Sequence, residues 1–309
     1  MKGPLFFAKI LLFGEYGIIK DSMGLSIPYN FYHGSLKIPY KNNTSIKESH
    51  QNLFAFSNYL KTFDADLISF NWKKFNFDLE RKIYFDSSIP QGYGVGSSGA
   101  LVAAIYYQYA LRKITILENL TKEKLLYLKN IFSLMESFFH GKSSGLDPLN
   151  SYLCLPILIN SKKHIETIGI PPQNTNGKGA VFLIDSGLAS KTAPMISIFM
   201  ENMKKEAFNN MIGDQFIRYS DACVKDFVDG NLNSLFKNIK SLSLLVLKNF
   251  EPMIPDSLHR LWQAGIDSND YYLKLCGSGG GGFILGFTED FEKVKKTLKD
   301  YPLEVVYHF

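Results

Sequence analysis

The sequence predicts an α+β protein organised as two domains, on three observations. The chain has 309 residues, more than one hydrophobic core usually organises and fewer than three require. Apolar residues make up 46% and charged residues 20%, the balance of an ordinary packed protein, which excludes a disordered tail, a collagen-like fibre and a disulfide miniprotein. Strand-like and helix-like segments mix without the strict alternation of a doubly wound parallel sheet.

Residues 5–13 (Leu-Phe-Phe-Ala-Lys-Ile-Leu-Leu-Phe) are short, apolar and rich in aromatics, and Gly14 ends them, so they read as a buried strand. From 25 to about 90, apolar runs alternate with turn residues, as at 67–72 and 75–79, which predicts mostly strands with one helix near 47–62. A glycine-rich turn at 90–99 leads into a helical stretch at 100–111, and Thr121 is placed to cap a second helix reaching about 139. Residues 170–179 have the composition of a loop, so the domains are expected at 1–170 and 171–309. Beyond it come a strand at 180–184 and helical patterns around 193–212, 214–228 and 231–249. Strands at 271–276 and 283–287 flank a hexapeptide with five glycines, followed by a charged helix at 289–299 and a strand at 303–307.

The net charge is +5, yet only four of the 34 basic residues are arginine (Arg81, Arg112, Arg218, Arg260). Nucleic-acid binders concentrate arginine for bidentate contacts, whereas these lysines are dispersed among acids, so no nucleic-acid partner is expected. Cys154, Cys223 and Cys276 are odd in number, widely spaced and fit no metal-ligand pattern, which suits small buried side chains in a reducing compartment. Lys9 interrupts the apolar run at the N-terminus, Glu15 follows, and no stretch reaches the roughly 18 apolar residues of a membrane span. A cytoplasmic protein without a membrane partner is expected.

Four segments could carry chemistry. Pro90-Gln-Gly92-Tyr-Gly94-Val-Gly96-Ser97-Ser98-Gly99 stands directly ahead of a helix. Alternating glycines bring backbone N–H groups close to a ligand, and the helix start adds unpaired donors and the positive end of its dipole, together an anion site. A glycine turn with a serine N-cap would have the same composition. Second, Glu136 shares the helix face of Leu125, Leu128, Phe132 and Phe139. A carboxylate on an apolar stripe wants a cation or a partner, although a helix end could also turn it to solvent. His140, at that helix end, reads as a dipole-facing structural residue, and Asp147 as a turn former in Ser-Ser-Gly-Leu-Asp-Pro. Third, the run from Lys274 to Phe283 joins two strands through five glycines, which fits close approach of backbone to a ligand or loop better than a linker. Fourth, Lys9 is the one charge in its strand, on the face of Phe7 and Leu11, a pattern an edge lysine would also give.

Taken in chain order, from Lys9 to Phe283, the four segments resemble the motifs of the GHMP kinases. Lys9-Ile-Leu-Leu-Phe-Gly14-Glu15-Tyr16 is similar to K-x-x-L-x-G-E-H, residues 90–100 to P-x-G-x-G-L-G-S-S-A-A, and 274–283 to K-x-x-G-A-G-G-G-G. The cluster from Glu136 to Asp147 is similar to the mevalonate kinase form G-E-x-x-x-H-G-x-P-S-G-x-D. The resemblance implies an N-terminal domain like ribosomal protein S5 domain 2 and a ferredoxin-like C-terminal domain. It implies ATP and Mg²⁺ as cofactors, with Gly92, Gly94, Gly96, Ser97, Ser98 and Gly99 holding phosphates and with Ser98 and Glu136 on the metal. Asp147 would be the general base for the acceptor hydroxyl, beside Lys9, which stabilises charge at the reacting oxygen. Glu15, Tyr16, Thr192, Gly279 and Gly280 would lie toward the acceptor. The implied reaction is phosphorylation of a small molecule, mevalonate first, by a monomer or homodimer. Phosphomevalonate, homoserine and sugars are alternatives, as is a catalytically silent ligand-binding regulator. Tyr16 departs from the family histidine, and Ser143 stands where proline is usual, read as a mild change in turn stiffness.

Overall fold

The apolar run near the start of the chain forms β1 (Phe6–Phe13), and a 3-10 turn at Gly17–Lys20 leads to the long β2 (Gly24–Lys37). The computed structural model describes residues 3–40, 44–115 and 120–309. Next come α1 (Thr44–Leu60), α2 (Trp72–Glu80), β3 (Tyr84–Ser87), α3 (Ser97–Tyr109), α4 (Lys122–His140) and α5 (Leu146–Leu153). Strands β4 (Ile157–Ser161), β5 (His164–Thr167) and β6 (Ala180–Asp185) precede helices α6 (Thr192–Asn202), α7 (Glu206–Met211), α8 (Ile217–Val228), α9 (Leu232–Asn249) and α10 (His259–Ser268). The chain closes with β7 (Tyr272–Leu275), β8 (Phe283–Thr288), α11 (Phe291–Thr297) and β9 (Leu303–His308). One sheet runs β1-β2-β4-β5 with β3 also pairing β2, and the other runs β7-β8-β6-β9. The α+β class follows.

By packing, the chain forms two units. One holds the chain up to Lys9, Pro28–Pro90 and Gly96–Leu155; the other holds Ile10–Ile27, Gln91–Val95 and Pro156–Phe309. Strands β1 and β2 each begin in one unit and end in the other.

In the first unit, β2 pairs antiparallel with β3, Gly34 opposite Ser87. Helix α3 is apolar on most faces, with Ala100, Val102, Ala103, Ala104 and Ile105 all fully buried, as a helix in the middle of a core must be. On α4, Leu125, Leu128, Ile131, Phe132, Met135 and Glu136 form the buried stripe, and Thr121 caps its start by accepting from Lys124 N. Tyr106 of α3 meets Phe132 of α4 edge-on, ring centroids 5.0 Å apart.

Residues 72–80 are a helix where alternation suggested a strand. Asn71 Oδ1 accepts from Lys74 N at 3.0 Å as an N-cap, and Phe75, Asp78 and Leu79 are buried at helical spacing. Asp78 is drawn inward because Tyr109 Oη and Lys74 Nζ donate to its Oδ2 at 3.0 and 2.7 Å. Residues 67–72 hold only an isolated bridge, Phe70 opposite Ala110.

In the second unit, β6 pairs antiparallel with β8 and β9, and β7 with β8; Leu183 stands opposite both Leu285 and Glu304. All six residues of β8 are buried, so it reads as a continuous apolar run. Phe13 stacks on Phe287 at 5.4 Å, and the fully buried Trp262 of α10 donates from Nε1 to Ser243 Oγ of α9 at 2.8 Å. The helical pattern at 193–212 is split: i→i−3 bonds from Lys204 N and Lys205 N end the ladder after Asn202. A π-helical turn at Ile212–Phe216 then joins α7 to α8.

Candidate active site

The first unit brings Lys9, Ser98, Glu136 and Asp147 into one cluster. Lys9 lies on β1, the end strand of its sheet, yet it is only 4% exposed, and its Nζ lies 3.0 Å from Asp147 Oδ1. Asp147 lies in the first turn of α5 rather than in an open turn, and Pro148 is tolerated there because first-turn N–H groups have no intrahelical acceptor. Gly99 lets α5 come this close to α3. A Cβ at position 99 would sit 2.7 Å from both Asp147 C and Pro148 N, nearer than a methyl group can approach. The carboxylate nevertheless keeps about a third of its surface open (34%), so a substrate hydroxyl can reach it while Lys9 stays covered. Both side chains flank Gly96, which precedes α3: a methyl group there would lie 3.1 Å from Lys9 Cγ and 3.5 Å from Asp147 Oδ2.

Glu136 is buried on the α4 stripe, as its spacing predicts. Its Oε1 accepts from Ser98 Oγ at 2.9 Å, and its Oε2 accepts from Ser143 Oγ in a short hydrogen bond. Burial first and the nearby Asp147 second push its pKa up to about 7, against the opposing pull of Ser143, Ser98 and Lys9. A carboxylate so placed gains from an added cation. His140 Nε2 lies 2.9 Å from Ser98 Oγ. With the Ser98 proton directed at Glu136, that nitrogen must be the donor. His140 thus touches the cluster instead of serving only the α4 terminus.

Ser143 was legible only as a substitution at a turn. Its role comes from the chain doubling back after Gly141, which carries Ser143 to the carboxylate seven residues earlier. Its hydroxyl also accepts from Gly145 N at 3.0 Å, so it ties the α4–α5 turn to Glu136.

The second unit holds Gly92 and Gly94 of the same glycine-rich segment, packed on the 277–282 loop. Gly94 has φ +78, and a Cβ on it would fall 2.3 Å from Cys276 O, so this contact of backbone on backbone admits only glycine. Ser190 N donates to Gly92 O at 3.0 Å, and Ser190 Oγ to Gly279 O at 2.7 Å. Gly280 N donates to Met253 O at 2.6 Å, so Gly279 and Gly280 are engaged by protein. Thr192 is exposed at the start of α6, one turn from Met195, whose side chain lies against Gly280. Glu15 and Tyr16 are both buried. Lys274 Nζ donates to Glu15 Oε2 at 2.6 Å and to Leu275 O at 2.8 Å, while the buried Glu15 Oε1 has no hydrogen-bond partner among the described residues. This ion pair joins the first and last of the four segments, a contact that no local pattern announces.

Residues 58–154 match the family model of the GHMP kinases N terminal domain. That match covers about a third of the chain. The fold of the chain is similar to those of solved small-molecule kinases. Mevalonate kinase of L. major in complex with R-mevalonate superposes with TM-score 0.64 at 15% identity, covering 97% of this chain and 93% of that one. Phosphomevalonate kinase of Streptococcus pneumoniae in complex with phosphomevalonate and AMPPNP gives 0.60 at 14%, covering 99% of each. Galactokinase of Lactococcus lactis complexed with galactose gives 0.57 at 13%, covering 98% and 93%. No curated protein matches the sequence. Among the described residues, no helix is long and apolar enough to cross a membrane, and no three His, Cys, Asp or Glu side chains are grouped to hold a metal.

Proposed function

We propose that this chain is an ATP-dependent small-molecule kinase that phosphorylates a hydroxyl, with mevalonate as the first acceptor to test. The observation that carries the reading is the Lys9–Asp147 pair, 3.0 Å apart beside the residue that opens α3. A carboxylate able to accept a hydroxyl proton thus lies where the start of a helix can bind an anion.

The backbone N–H groups of the 92–99 segment and the first turn of α3 bind the nucleotide phosphates. Asp147 accepts the proton from the acceptor hydroxyl as its oxygen attacks the γ-phosphorus and the bond to the β-phosphate oxygen breaks. Lys9 offsets the charge that builds at the attacking oxygen, and the remaining catalysis is positioning and electrostatic stabilisation. The donors at Glu136 fit magnesium: one hard carboxylate and the Ser98 hydroxyl, with phosphate oxygens and water to complete the shell, as that ion prefers. When bound there, magnesium would neutralise phosphate charge.

Mevalonate is favoured by the Glu136–Asp147 cluster, which follows the mevalonate kinase pattern in its steps of four to His140 and eleven to Asp147. The test is ADP release from Mg·ATP with mevalonate, 5-phosphomevalonate, homoserine and galactose in parallel. Turnover with mevalonate supports the full reading. Turnover with another of the four keeps the kinase and moves the acceptor. Silence with all four, joined to failure to bind ATP, would overturn the kinase reading.

A further inference from the structure

The residue that departs from the family motif, Tyr16, is buried and held by protein contacts. It is 6% exposed, and its hydroxyl donates to the backbone carbonyl of Ser278 at 2.5 Å. Its ring stacks on Phe199 at 4.5 Å and lies 5.7 Å from Phe250, inside a cluster that Phe208 and Phe216 extend. Its backbone adopts φ +63, a conformation that costs a non-glycine residue energy and is held by the surrounding structure. The hydroxyl, the one polar group of the side chain, is therefore committed to Ser278.

Ser278 belongs to the loop that fixes the glycine-rich segment. Cys276 O presses on Gly94, and Gly282 packs so tightly on Tyr93 that a Cβ at 282 would fall 2.5 Å from Tyr93 Cα. Phe283 N donates to Tyr93 O at 3.4 Å. Beside Tyr16, Glu15 holds Lys274, the residue that leads into the same loop, at 2.6 Å. Two consecutive side chains thus hold the 274–278 stretch, on which Gly94 packs at Cys276 and Gly277, while Gly282 at the end of the loop packs on Gly92 and Tyr93. All of these residues lie in the second packing unit.

We propose that Tyr16 is a positioning residue for the nucleotide: its hydroxyl sets the 277–282 loop, and the loop sets the backbone of Gly92–Gly94. The inference rests on the reading that this glycine segment binds ATP phosphates. It assigns the tyrosine to nucleotide affinity rather than acceptor recognition.

The test compares wild type with Tyr16→Phe, which keeps the stacked ring and removes only the donor. Calorimetric titration with Mg·ATP and, separately, with mevalonate is paired with thermal melting of each protein. The expected result is that the Kd for ATP rises about fivefold, the scale of one lost hydrogen bond, while mevalonate affinity holds. A second variant, Lys274→Met, loosens the other grip on the loop and should weaken ATP in the same direction. Should Tyr16→Phe melt early, ATP affinity at a temperature where it is fully folded decides. Equal ATP affinity in folded wild type and Tyr16→Phe overturns this inference alone. Weakened mevalonate binding with unchanged ATP binding also overturns it and moves Tyr16 to the acceptor. Absence of ATP binding by wild type overturns both this inference and the kinase reading.

Discussion

At the scale of single residues, the proposed reading gives the cluster two separable roles, a proton acceptor and a cation-seeking carboxylate, and each can be removed with one isosteric change. Asp147→Asn keeps size and hydrogen-bonding capacity but cannot take the acceptor proton. Turnover should fall by roughly 10²–10⁴-fold, the range general-base catalysis supplies, while ATP affinity measured by titration stays within about twofold. A mutant with wild-type rates would remove Asp147 from the chemistry. Glu136→Gln preserves an acceptor for Ser98 and Ser143 but lacks the charge that attracts a cation. The expected outcome is a rightward shift of the magnesium titration of activity with ATP saturating, and an unshifted curve would take Glu136 off the metal. The two substitutions also differ in stability. Glu136 is buried and its ionised form is disfavoured by burial and by Asp147, so a neutral side chain there should not lower the melting temperature. Asp147→Asn removes the carboxylate that lies 3.0 Å from the 4%-exposed Lys9, and weakening the pairing of a buried charge destabilises.

At the scale of elements, short helices were the hardest to read. Between 72 and 80, Phe75, Phe77 and Leu79 satisfy a period of two, while Phe75 and Leu79 with Asp78 between them equally satisfy a helix. Asn71 decides, because its side chain supplies the first-turn N–H with an acceptor. Asn71→Ala should therefore cost about 1 kcal/mol of stability, the usual worth of an N-cap, read from a shift of the urea midpoint at constant m-value. No loss of stability would mean that tertiary contacts of Phe75 and Leu79 alone hold α2. Elements with long, one-sided patterns were legible. Strand β1, helices α3 and α4, and strands β6, β8 and β9 fall where periodicity and bounding glycines place them, and Glu136 was found from its place on the α4 stripe. The hairpin β4–β5 and helices α5 and α10 were not, since each is too short for a period to stand out. At the site, the glycine-rich segments announce themselves by composition. Ser143 on Glu136, His140 on Ser98 and Lys274 on Glu15 do not, because each depends on where the chain returns after a turn or after hundreds of residues.

At the scale of the whole molecule, buried tyrosines couple stability to alkaline pH. Tyr16, Tyr109 and Tyr271 have their hydroxyl pKa values raised, each chiefly by burial, with Glu15, Asp78 and Asp270 respectively as the second cause; Tyr271 is pushed up to about 12. The sign follows from the protons each state binds. An unfolded tyrosine ionises near pH 10, whereas these three stay protonated to higher pH in the fold, so the folded chain binds more protons than the unfolded one above that point. Stability from this source is complete below about pH 10 and falls as pH rises toward 12. Surface ion pairs such as Lys293–Asp270, largely exposed on the lysine side, are worth little at any pH. The tyrosine contribution should therefore dominate, and the two can be told apart. Ultraviolet absorbance of tyrosinate, followed together with circular dichroism from neutral pH upward, should show exposed tyrosines ionising first with the fold intact. The buried group should ionise only in step with unfolding. Tyr271→Phe removes one of the three and should move the alkaline transition to higher pH once its loss of stability at neutral pH is subtracted. If all 17 tyrosines instead titrated near pH 10 while the circular dichroism held, the three hydroxyls would not be buried in the folded chain, and the Tyr16–Ser278 bond with them would be lost.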